Sequence, residues 1–101
     1  MPVTITTDES GFSLDTEPPI STQWCNVEKI VAFKRDLFAV DLICVAFHLD
    51  DHFIVEIDEE MIGYSEFLNV LETRFELAPD WWSNVAFPAF EANMTTIWTA
   101  T

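Results

Sequence analysis

His48 and His52 bracket Asp50-Asp51 and are the chain's two histidines. Two imidazoles beside carboxylates have the chemistry to hold Zn²⁺. A structural zinc site needs four closed donors, and a catalytic one needs an ordered outer shell of hydrogen bonds. The alternative is a pair of turn histidines. Around them lies the densest acidic stretch: Asp50, Asp51, Glu56, Asp58, Glu59 and Glu60, six acids in eleven residues with no base among them. A Ca²⁺ or Mg²⁺ site needs several oxygens converging at about 2.0–2.6 Å, and the alternation and central Gly of a calcium loop are absent. Two further readings stand beside metal binding: a solvated acidic edge that blocks strand-to-strand association, and a docking surface for a basic partner. Asp58, Glu59 and Glu60 favour docking because they run onto a strand-to-helix loop, where side chains face outward.

Lys34 and Arg35, followed by Asp36, supply half of the chain's four Lys and Arg residues; Lys29 and Arg74 are the others. An arginine grips a carboxylate through two parallel hydrogen bonds, so an internal pair with Asp36 or Asp41 is expected to fix the turn between two strands. Trp81-Trp82 are neighbours. On a helix they point about 100° apart, so one is expected in the core and the other is a candidate interface anchor. The sequence carries no nucleophile elbow, Cys with a paired His, phosphate loop or dinucleotide fingerprint. No enzyme activity and no cofactor are expected.

These residues must be positioned by a small, heavily charged domain. Eighteen Asp and Glu against four Lys and Arg give a net charge of −14 on 101 residues, yet half of the residues are hydrophobic. Charge without apolar content describes a disordered tail, whereas both together describe a folded core in a negative field. That field attracts cationic partners and repels nucleic-acid backbones and anionic membranes. The start MPVTITTDESGF has no basic, apolar leader, and no apolar run approaches the roughly 20 residues that span a bilayer, so a soluble cytoplasmic protein is expected. In that compartment Cys25 and Cys44 are expected as two buried free thiols, both lying in apolar surroundings.

Residues 1–22 read as a loosely tied N-terminal segment with short edge strands near Val3, Ile5 and Phe12 to Leu14, and residues 23–101 as a single α+β domain. Glu28 to Arg35 alternates as a strand, with a short helix as competitor. Val40 to Leu49 is apolar on both faces and reads as a central strand. Asp50-Asp51 then turns it into a second strand, through Phe53, Val55 and Ile57, to form an antiparallel hairpin. Gly63 reads as the N-cap of a helix whose Tyr64, Phe67, Leu68, Leu71 and Phe75 share one face, with Ile62 and Phe67 as a hydrophobic staple. Asp80 caps a short helix through Trp81, Trp82, Val85 and Ala86, ended by Pro88; Asn93 starts a turn, and Met94 to Ala100 returns as a strand. The expected architecture is an antiparallel sheet of about four to six strands with one amphipathic helix packed on it and a short second helix.

Trp24, Ile30, Ala32, Lys34-Arg35-Asp36-Leu37, Asp41-Leu42-Ile43, Glu59-Glu60 with Gly63, Trp81-Trp82, Pro88-Ala89-Phe90, and Asn93 with Thr95 carry a resemblance. From Trp24 to Thr96 the chain resembles a group of small, acidic, largely uncharacterised bacterial proteins. In size and acidity it is also similar to the immunity proteins of bacterial polymorphic-toxin systems, and its strands closing on a helix are similar to pleckstrin-homology-like folds. The immunity likeness implies a small cytoplasmic inhibitor of a cognate toxin. The expected partner is a basic protein, met by Asp50, Asp51, Glu56, Asp58, Glu59, Glu60, Trp81 and Trp82, with no direct nucleic acid and no membrane. Two alternatives are a DNA-mimic inhibitor of a nucleic-acid-binding defence complex and a metal-dependent enzyme or sensor using His48 and His52.

Overall fold

The computed structural model describes residues 2–36, 41–86 and 94–100, with the side chain of Asp36 left out. The strong alternation of the middle of the chain produces a four-stranded antiparallel sheet. β4 (Val27–Asp36), β5 (Asp41–Leu49), β6 (Ile54–Asp58) and β7 (Met94–Thr99) lie in the order β6-β5-β4-β7. β5 is internal and buried on both faces from Leu42 to Phe47, which is why its sequence is apolar without interruption. The expected hairpin forms between β5 and β6, with Phe47 opposite Val55 and Cys44 opposite Asp58. The Glu28 to Arg35 stretch takes its strand form rather than a helix, flanked by β5 and β7.

The N-terminal residues, read as loosely tied, instead build a second sheet. β1 (Ile5–Thr7), β2 (Gly11–Leu14) and β3 (Ile20–Gln23) form an antiparallel meander in that order. Its first turn is held by Asp8, whose Oδ1 accepts hydrogen bonds from Ser10 N, Ser10 Oγ and Gly11 N at 2.8, 2.8 and 2.9 Å. These bonds, that of the Ser10 hydroxyl first, hold the Asp8 carboxyl below its ordinary range. The segment is tied down because Ile5, Phe12 and Leu14 enter the main core. The Phe12 ring lies 5.0 Å from Phe47, 5.0 Å from Phe67 and 5.4 Å from Trp24. One aromatic cluster therefore joins both sheets and the main helix. Gly11 permits this close packing: a Cβ there would stand 1.8 Å from the Thr22 carbonyl oxygen.

α1 (Tyr64–Arg74) starts at Gly63, whose φ of 88° is the left-handed conformation that glycine adopts without steric cost. Tyr64, Phe67 and Leu71 are its buried face. The staple residue Ile62 stays 52% exposed, while Phe67 is 1% exposed. What fixes Ile62 is its main chain, which accepts from Ile5 N at 2.9 Å and donates to the Val3 carbonyl at 2.8 Å. α2 (Trp81–Ala86) follows Asp80, whose carbonyl accepts from Asn84 N at 3.1 Å. Pro88-Ala89-Phe90 and the turn at Asn93 lie outside the described residues. Among the described residues no helix is long and apolar enough to cross a membrane.

Candidate partner-binding surface

The hairpin of β5 and β6 separates the acidic stretch into groups. Asp50 and Asp51 sit exposed at its tip, while Glu59 and Glu60 sit exposed in the loop that leads to α1. β6 spans five residues between them, so the two groups lie about 15 Å apart at the strand's two ends. Asp51 Oδ1 accepts from Phe53 N at 3.1 Å and Asp58 Oδ1 from Glu60 N at 3.0 Å, so each shapes its own turn. Glu59 reaches back to the sheet, accepting from Ile43 N at 3.0 Å through Oε1.

Glu56 is engaged internally. Both of its carboxylate oxygens accept from Arg35 Nη2, at 2.8 and 2.9 Å, and Oε1 also accepts from Arg35 Nε at 3.2 Å. The expected pairing of Arg35 with Asp41 is corrected here, and the alternative with Asp36 falls on a side chain outside the described residues. Arg35 projects from the same sheet face as Phe33, over whose ring its guanidinium sits at 5.2 Å, and Glu56 projects from that face two strands away. Asp41 lies on the opposite face with Ile43 and meets Lys34 instead. Lys34 is 2% exposed, with Nζ 3.6 Å from Asp41 Oδ2 and 3.0 Å from the Ala86 carbonyl at the end of α2.

Cys44 is fully buried beneath the span from Arg35 to Glu56, and burial pushes its thiol up to about 11. Cys25, expected buried, is exposed. It lies in the short 3-10 turn Trp24–Asn26, where Trp24 takes the inward position, and its Sγ is 3.7 Å from Gln23 Oε1. Trp24 is covered in turn by Arg74, whose guanidinium sits 5.4 Å from an indole ring centroid and donates to the Glu9 carbonyl.

Trp81 is 6% and Trp82 46% exposed, so one tryptophan is core and the other reaches the surface. α2 ends at the Lys34–Ile43 end of the sheet, where Glu59 also bonds. The helix of Trp82 and the Glu59-Glu60 loop thus share one end, and Asp50-Asp51 occupies the other. His48 and His52 line one open hollow with Lys29 and Phe53. Among the described residues no group of three or more His, Cys, Asp or Glu is arranged to hold a metal ion.

The fold and surface define an α+β protein of two antiparallel sheets, three and four strands wide, with one main helix and a short second one. Comparison with protein-family models, curated proteins and solved structures gives no match for this chain.

Proposed function

We propose that the chain is a binding protein for a basic protein, acting as an inhibitor of the immunity type that neutralises a toxin by steric occlusion. The observation that carries this reading is the placing of four exposed acids, Asp50, Asp51, Glu59 and Glu60, at both ends of an outer strand in a chain of net charge −14. Acids at two ends of one edge steer a cationic surface into register, and Trp82 adds apolar contact area at one end. A nuclease target would find carboxylates where it expects phosphates.

The test is capture from the host at physiological salt, with the wild-type chain beside a variant carrying Asp50→Lys, Asp51→Lys, Glu59→Lys and Glu60→Lys. One stoichiometric basic protein retained by the wild type and lost by the variant is expected. Weak, salt-sensitive retention of several unrelated basic proteins by both would count against the reading.

A second reading draws on acids beyond this edge. Asp8, Glu9, Asp15, Glu17, Glu66, Glu72, Glu76 and Asp80 are exposed as well, spread over the three-stranded sheet and the helices. Such a spread suits a DNA mimic directed at a nucleic-acid-binding defence complex. Retention of a multi-subunit nucleic-acid-binding complex in the same experiment would favour it.

A further inference from the structure

A groove of about 300 Å³ runs between the two sheets, lined by Ile20 and Thr22 of β3 and by Leu49, Asp51, Phe53 and Ile54 of the hairpin. Each of its strand borders is the last strand of its sheet. Leu49 N donates to the Phe53 carbonyl at 2.9 Å, and Glu59 N to the Ile43 carbonyl at 3.1 Å. With β5 and β6 in unbroken register, these bonds turn the main chain of Val55 and Ile57 toward β5. Ile54 and Glu56 turn theirs outward, where no described strand receives them.

A side-chain observation points the same way. Phe53 is 70% and Ile54 57% exposed, an apolar pair at the border of an open strand edge.

We propose that this groove takes an extended segment of the basic partner, which adds to β6 as a further strand; this rests on the reading above and specifies how the partner is held. The segment's main chain completes the hydrogen bonds of Ile54 and Glu56. Apolar side chains on one of its faces cover Phe53, and those on the other cover Ile54, since the two point to opposite faces of the sheet. Charge selects the occupant. Asp51 at one end of β6 and Glu59-Glu60 at the other repel the identical edge of a second copy and attract lysine or arginine flanking an apolar strand.

The probe is a capped ten-residue peptide alternating lysine and valine, titrated into the whole protein at physiological salt and followed by calorimetry and amide hydrogen exchange. Its control is the same peptide N-methylated at alternate residues, which keeps the charge and removes strand donors. Slowed exchange at Ile54 and Glu56 with the first peptide and not the second is expected. Phe53→Ala, at a solvent-exposed site, is expected to weaken binding about tenfold. No binding, equal binding of the N-methylated peptide, or unchanged affinity in Phe53→Ala would overturn the groove. The two proposals fail separately. A basic partner captured equally by Phe53→Ala and lost with the four charge reversals leaves the acidic surface standing without the groove, whereas peptide binding at β6 with no partner captured leaves the groove standing alone.

Discussion

Arg35 crosses above β5 to hold both carboxylate oxygens of Glu56, and the thiol of Cys44 lies shut beneath the crossing. The pair itself is half exposed, so Glu56→Gln is expected to cost no more than about 1 kcal/mol in a urea titration. Its larger effect is on access. With a thiol reagent near neutral pH, the wild-type protein is expected to show one fast cysteine, Cys25, and one that reacts only on unfolding. Arg35→Ala is expected to speed Cys44 labelling with little change in stability, and mass spectrometry of the labelled peptides reads this directly.

Alkaline pH is expected to weaken the fold through Cys44. Its folded thiol titrates at about 11 against an ordinary value of 9.0, so between those values the unfolded chain releases a proton that the folded one keeps. Stability is therefore full below pH 9 and falls as pH rises through 11, by about 3 kcal/mol in all. Tyr64, buried and raised by desolvation, extends the decline to higher pH. Denaturation midpoints from pH 8 to 11 should fall less steeply in Cys44→Ala than in the wild type. Equal slopes would remove Cys44 as the cause.

Lys34 joins α2 to the sheet. Lys34→Ala is expected to lower stability by about 3 kcal/mol, because it withdraws a buried cation from Asp41 and a donor from the Ala86 carbonyl. Lys34→Met keeps the packing of the stem and is expected to cost less. Amide exchange should show α2 loosening first.

Gly11→Ala tests how the N-terminal sheet is attached. The added methyl would stand 1.8 Å from the Thr22 oxygen, 2.8 Å from its carbonyl carbon and 2.9 Å from the Gln23 Cα, all main-chain atoms that yield only if β2 and β3 part. A loss of about 3 kcal/mol is expected. Exchange at Thr22 should quicken more than at Phe47. A neutral outcome would mean that β3 shifts freely.

Much of the central fold was legible because its signals are local. The alternation through Val45, Phe47, Val55 and Ile57 names the hairpin, and Gly63 before Tyr64, Phe67 and Leu71 names the helix and its buried face. The N-terminal sheet was not legible as such. Its strands are three or four residues long, and what anchors them is Phe12 meeting Phe47 and Phe67 from far along the chain. Sequence proximity pairs Arg35 with its near neighbours, whereas face parity and strand order decide that it meets Glu56. The apolar neighbours of Cys25 point to burial, yet a 3-10 turn rotates successive side chains and gives Trp24 the inward place. The groove at Thr22 combines residues of two sheets, and no spacing within one segment encodes it.

The parallel bridge between Thr4 and Ile62 also governs how this protein is best handled at the bench. It seats Pro2 and Val3 in a hollow shared with Asp58, Glu60 and Met61. Pro2 thus lies beside the acidic loop, so a polyhistidine or lysine-rich tag joined at that end is expected to compete for the carboxylates a basic partner would meet. β7 borders the opposite edge of its sheet from β6, and a handle placed beyond it leaves the acidic edge clear.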